Sequence, residues 1–260
     1  MKLQFSISYR APFGQSVHVC LRYLDAGGHG RSLDLPMHTD DGTLWRLETT
    51  ARPLPRQAVR YLAYHYQVED DAGRLMRREW AAVPRLYCCD ESRNYIFEDI
   101  WRDLSLQHYL FAVRRPRRPL MRLCDVPQFN RSVIFRVSAP HVPAGRSVAL
   151  LGSDAALGAW SEKRYLQMYP VGDGDWMLSI NAYALGLPVA FKYVVVDDHT
   201  HDIVEWERGD NRRTALRRLE TGDQLVVYGG NVRTATTLTF HDELLNEDHT
   251  TDYDLRELYI

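Results

Sequence analysis

The sequence predicts an all-β protein made of two β-sandwich modules in tandem, joined by a connection rich in proline and arginine. Three observations predict it. Apolar and polar residues alternate with a period of two over many short stretches, and no long stretch repeats at the 3.6-residue period of a helix. Clusters of glycine, proline and aspartate cut those stretches at short spacing, which is the turn chemistry of a sandwich. The pattern of the first half also returns in the second. DGTLW (41–45) precedes AYHYQVEDD (63–71) and REW (78–80), while DGDW (173–176) precedes AFKYVVVDD (190–198) and VEW (204–206).

Taken in order, residues 2–9 alternate Leu3, Phe5, Ile7 and Tyr9 against Lys2, Gln4, Ser6 and Ser8, a half-buried strand. APFGQ breaks it and Val17 to Leu24 restarts it. Gly27-Gly28-His29-Gly30 reads as a loop, because clustered glycines lose too much backbone entropy inside an element. Asp40-Asp41-Gly42 turns the chain into the strand TLWRLETT, and VRYLAYHYQVED is dense in β-formers. DDAG followed by RLMRREW makes a hairpin signal, and Leu86 to Phe97 ends the first unit, residues 1–100. Residues 101–125 form the connection: Asp99 to Phe111 reads as a short helix or strap, followed by Val113-Arg114-Arg115-Pro116-Arg117-Arg118-Pro119. Prolines there fix φ and remove donors.

The second unit, residues 126–233, opens with the strand SVIFRVS (132–138), a Pro/Gly loop, and SVALLGS (147–153). Trp176 to Asn181, Val189 to Asp197 and Ile203 to Glu207 supply three more strands, and Leu225 to Tyr228 with Thr236 to Phe240 close the sheet. The tail after Phe240 is acidic and poor in apolar side chains and reads as a connection rather than a folded element.

Composition bounds the function. The chain has 260 residues, 45% hydrophobic and 25% charged, with a net charge of −2. That is ordinary globular composition with enough apolar residues for two cores. The charge argues against a polyanion binder, so no nucleic-acid partner is expected, and the arginines near Pro116 read as a solvated linker. No apolar run approaches the roughly 20 residues that span a bilayer, and the N-terminus lacks a leader, so the chain is expected in the cytoplasm and off the membrane. The spacing of Cys20, Cys88, Cys89 and Cys124 fits no CxxC pair and no zinc ribbon, and the vicinal Cys88–Cys89 read as packing residues rather than as a redox-active pair. His199-Thr200-His201 sits in a polar turn with no third ligand nearby. No metal and no cofactor are expected.

Catalytic signals are weak. The carboxylate pairs Asp197-Asp198 and Asp70-Asp71 fall in hairpin turns, where acidic residues are common, and glycoside hydrolysis needs two carboxylates from separate elements. GxSxG, P-loop and dinucleotide fingerprints are missing from the sequence.

LLGS, LGAW (157–160), DGDW, the FKY strand and VEWERGDNR stand in the same order as in the family 20 carbohydrate-binding modules, the starch-binding domains, which the second half resembles from about Val126 to Arg233. The first half resembles the same module more distantly. The resemblance implies immunoglobulin-like β-sandwiches. As a tandem pair the two halves are similar to the N-terminal region of plant-type disproportionating enzymes, a subgroup of the 4-α-glucanotransferases (amylomaltases, glycoside hydrolase family 77). It implies a non-catalytic region linked covalently to a catalytic barrel, binding starch, glycogen or maltooligosaccharides.

Carried over motif by motif, the resemblance assigns the glucan site to Trp160 of LGAW, Trp206 of VEW, Lys192 of FKY and Asn211 of GDNR, with Glu207 accepting from a sugar hydroxyl. The chemistry agrees. An α-glucan offers uncharged pyranose faces ringed by hydroxyls, so its site needs exposed aromatic planes and a few donors and acceptors. Lys192 reads equally as a solvated strand lysine and Asn211 as a turn residue. Trp176 alternates with Leu178 and Ile180 and reads as core. Tyr169 matches one tyrosine of the family's second site, but Ala144 stands where the other is expected. In the first half Trp80 matches the REW position, whereas His65 replaces the lysine. The reading from another class is a β-sandwich scaffold for a protein partner or for dimerisation, with the tryptophans as interface anchors. A small hydrolase in its own right is a third.

Overall fold

The computed structural model describes residues 1–50, 58–79, 85–102, 122–172 and 174–234. Among the described residues the first half holds nine strands: β1 (Lys2–Ser8), β2 (Gln15–Leu24), β3 (Gly30–Pro36), β4 (His38–Thr39), β5 (Leu44–Thr50), β6 (Tyr61–Asp70), β7 (Leu75–Arg78), β8 (Arg85–Cys88) and β9 (Asn94–Ile100). The second holds another nine: β10 (Ser132–Ser138), β11 (Arg146–Gly152), β12 (Leu166–Gln167), β13 (Tyr169–Gly172), β14 (Asp175–Asn181), β15 (Ala190–Asp197), β16 (Ile203–Trp206), β17 (Arg212–Arg213) and β18 (Asp223–Asn231). Helical structure among the described residues is confined to short 3₁₀ turns. The fold is all-β, as the alternation predicts. Part of the expected strap over Asp99 to Phe111, the arginine-rich run, the strand over Thr236 to Phe240 and Trp80 lie outside the described residues.

The halves repeat one strand order. β3-β2-β6-β7 in the first corresponds to β12-β11-β15-β16 in the second, and β9-β1-β5-β4 corresponds to β18-β10-β14-β13. The sequence does not show how the halves meet. β18 pairs with β9 in parallel register, from Asp223↔Asn94 to Val227↔Glu98, so both contribute to one sheet of eight strands. Side chains cross the seam: Asn94 Nδ2 donates to Asp223 Oδ1 at 3.1 Å, and Glu98 accepts from the backbone N–H groups of Ala215 and Leu216 at 3.0 and 2.7 Å.

That junction explains why SVIFRVS and LVVYGG do not alternate in polarity as a half-exposed strand would. All seven residues of β10 are buried. On one face Val133, Phe135 and Val137 join the core of the second half; on the other Ile134, with Met177 and Val226, joins the core of the first. Strands buried on both faces read as continuous apolar runs. Arg136 on the buried back face needs a partner, and it has Asp175, with Nε to Oδ2 at 2.7 Å. It also donates to the Leu86 carbonyl at 3.0 Å and lies over the Tyr87 ring at 4.9 Å, both in the other half.

Two local readings change. The glycine run is followed at once by β3, which pairs with β2 from Leu24↔Gly30 to His18↔Pro36. Gly30 is required there, since a Cβ would lie 1.6 Å from the Tyr23 carbonyl oxygen. Cys88 is not a packing thiol: it is disulfide-bonded to Cys124, with Cα atoms 5.0 Å apart, which pins the end of the connection to β8. Cys89 is buried in the first core, as expected of a small hydrophobe.

Candidate functional site

In β15 the alternation sends Phe191 and Tyr193 into the core of the second half, which leaves Lys192, Val194 and Val196 on the outer face. On β11, Val148 and Leu150 point in while Ala149 and Leu151 point out. Register carries the pattern across the sheet, with Leu151 opposite Lys192, Ala149 opposite Val194 and Val194 opposite Trp206. Ala149, Leu151, Val194 and Val196 thus form a small apolar cluster on the outer side of the sheet. Trp160, Trp206, Tyr165 and Ile203 pack on it, each only partly buried. Two tryptophans 46 positions apart in the chain are brought to one patch.

The loop after β11 sets Trp160. Asp154 opens it, its side chain accepting from the N–H of Ala156 at 2.8 Å and of Gly186 at 3.1 Å. Leu157 is fully buried and anchors the turn. Gly158, Ala159 and Trp160 then take positive φ in succession, at 82°, 49° and 59°. Such conformations cost alanine or tryptophan roughly 1–3 kcal/mol and persist only where the surroundings enforce them, a pattern concentrated at functional sites. Gly158 is the residue the turn requires, since a Cβ would sit 2.3 Å from the Arg164 carbonyl oxygen.

The polar edge comes from the loop after β16. Lys192 Nζ donates to the Glu207 carbonyl at 3.0 Å and to that of Gly209, so the lysine is tied to the loop rather than loose in solvent. Asn211 follows on the same loop and is exposed. Glu207 departs from the sugar-contacting role assigned to it. Trp206 faces outward, so its neighbour turns inward, and the Glu207 side chain is 0% exposed. Its carboxylate accepts from Arg212 Nε at 2.9 Å and Arg233 Nε at 3.2 Å. Burial opposes its ionisation, but the two arginines outweigh that and hold the carboxyl below its ordinary pKa. Glu207 therefore braces the loop from beneath.

Tyr169 is 50% exposed on β13, at one edge of the eight-stranded sheet, and is not brought to the tryptophan patch. Trp176 is 7% exposed in the core of the second half, as its alternation predicts. Tyr165 is the residue the sequence reading misses. No family motif marks it, and its place beside Trp160 and Trp206 depends on the turn between β11 and β12. In the first half the corresponding face is polar: His65, in place of the lysine, lies on it with Ser16, His18, Cys20, Asp34 and Gln67.

Residues 130–225 match the family model of the starch binding domain. The 4-alpha-glucanotransferase DPE2 of Oryza sativa subsp. japonica is 24% identical over 230 residues, which cover 81% of this chain and 23% of the rice protein. The chain thus spans less than a quarter of that relative's length. Among solved structures, the family 20 module of the maltotetraose-forming amylase from Pseudomonas saccharophila is 22% identical over 37% of this chain and 98% of its own, with a TM-score of 0.29. The family 15 glucoamylase of Hypocrea jecorina is 22% identical over 40% of this chain and 18% of its own, with a TM-score of 0.35.

Proposed function

We propose that the chain binds α-glucan on the outer face of β11, β15 and β16. Trp160 and Trp206 are the platforms, Lys192 and the exposed Asn211 form the polar edge, and Tyr165 extends the aromatic surface. The observation that carries the reading is the pair of partly buried tryptophans on one apolar cluster, flanked by a lysine that fixes the neighbouring loop. The starch binding domain match over the same residues supports it. By analogy with base stacking, each platform contributes on the order of 1–3 kcal/mol. The two halves are read as tandem modules of one family, the first (1–100) altered at its site, with 101–125 linking it to 126–233.

In this proposal the chain is the non-catalytic region of a cytoplasmic 4-α-glucanotransferase and holds starch, glycogen or maltooligosaccharide beside a catalytic domain reached through residues 234–260. Its contribution is effective concentration rather than chemistry. No helix among the described residues is long and apolar enough to cross a membrane. Trp206→Ala or Trp160→Ala is expected to weaken binding to β-cyclodextrin or insoluble starch by about tenfold, the size of one lost platform. Unchanged affinity in the double variant rejects the site. A chain that stays in the supernatant of a starch pull-down favours the scaffold reading, in which the same tryptophans anchor a protein partner.

A further inference from the structure

In the first half, the sheet face that corresponds to the tryptophan patch carries metal-ligating side chains. β2 sends Val17, Val19 and Leu21 into the core, which turns Ser16, His18 and Cys20 outward. Asp34 of β3 lies opposite Cys20, Gln67 of β6 lies opposite His18, and His65 lies opposite Cys20. His18 Nδ1 is 3.1 Å from Asp34 Oδ1, and its Nε2 is 3.8 Å from Glu69 Oε2. One donor atom from each of His18, Asp34 and Glu69 lies within 4.8 Å of the other two. The Cys20 thiol is 4.0 Å from the same Asp34 oxygen.

Two further features bear on a ligand. Gln67, 6% exposed, donates from Nε2 to Asp34 Oδ2 at 3.2 Å and to Glu69 Oε1 at 2.6 Å. It thereby holds the two carboxylates on either side of the imidazole, with their other oxygens turned towards it. His65 Nε2 is buried and has no hydrogen-bond partner.

We propose that this face binds one divalent transition-metal ion through His18, Asp34 and Glu69, with Cys20 as the fourth donor and Zn²⁺ as the best chemical match. Donors about 2.0–2.3 Å from a tetrahedral ion are separated from one another by roughly 3–4 Å, so His18, Asp34 and Glu69 need only small rotamer changes to close on it, while the Cys20 thiol, 4.0 Å from Asp34 Oδ1, must turn further to join them. Imidazole, thiol and carboxylate together suit zinc; calcium and magnesium take oxygen sets. His18 and Cys20 are two apart on one strand, and Asp34 and Glu69 come from the strands on either side, so the frame is rigid. Gln67 is the outer partner that orients the carboxylates. The exposed Arg78 lies opposite Gln67 on β7, and Arg22 is two positions from Cys20 on β2.

The test uses the whole chain, stripped of metal and titrated with Zn²⁺ by calorimetry, then with Co²⁺ by visible absorption. One equivalent is expected to bind. Asp34→Asn and His18→Gln, which preserve volume, are each expected to weaken it at least about tenfold. Cys20→Ser is expected to remove the thiolate-to-cobalt charge-transfer band. His199→Ala, in a turn of the other half, is expected to change nothing. Absence of saturable binding overturns the proposal, as does binding that survives the Asp34→Asn, His18→Gln double variant. Near-UV circular dichroism of each variant shows whether it is folded, and should one fail to fold, the other decides.

Discussion

Glu207 and Trp206 are neighbours in the chain with opposite roles, because successive strand residues point to opposite sides. Trp206 faces out and Glu207 is buried beneath it between Arg212 and Arg233. Removing one partner of a buried ion pair leaves the others uncompensated, at about 3–5 kcal/mol. Glu207→Gln is therefore expected to lower the melting temperature markedly and to weaken glucan binding only through the loosened loop, which calorimetry on the folded variant separates. The pH dependence follows from the same pair. The folded pKa of Glu207 lies below its ordinary value of 4.5, so its stabilisation is complete above that value and is lost as pH falls through the folded pKa. Acid unfolding monitored by fluorescence should show a component below about pH 4.5 in the wild type that is missing from Glu207→Gln.

At the scale of elements, the LGAW turn is where local sequence and strained backbone meet. The motif is visible in the sequence, but the left-handed run over Gly158, Ala159 and Trp160 is not, because it is held by the turn's own hydrogen bonds to Asp154 and Gly158 and by the close approach of the Arg164 carbonyl to Gly158. Gly158→Ala is expected to destabilise the protein by roughly 1–3 kcal/mol and, by displacing Trp160, to weaken starch binding; thermal unfolding and a pull-down read the two effects. The β3 strand escapes the sequence reading for a related reason. Gly30 looks like a loop residue until β2 is laid beside it, when the absence of a Cβ becomes the condition for pairing.

At the scale of the whole molecule, the shared sheet makes the halves interdependent. Ile134, Met177 and Val226 of the second half belong to the core of the first. Exposing each costs about 1.5–3 kcal/mol. A fragment beginning at residue 126 would bare them together with the Arg136–Asp175 pair. The full chain is expected to unfold in one transition, and the fragment to melt at a lower temperature or aggregate; calorimetry and size-exclusion chromatography distinguish these outcomes. Two independent transitions in the full chain would contradict the coupling.

The sequence by itself determined the all-β class, the position of most long strands, the burial of Trp176 and the motifs that carry Trp160, Lys192, Trp206 and Asn211. These follow from period-two alternation and turn residues, which are local. Tertiary structure alone decided that β9 and β18 pair, that Cys88 finds Cys124, that Glu207 turns inward and that Tyr165 joins the tryptophans. Each depends on contact between segments far apart in the chain, and a strand edge carries no mark in its own sequence of the strand that will cover it.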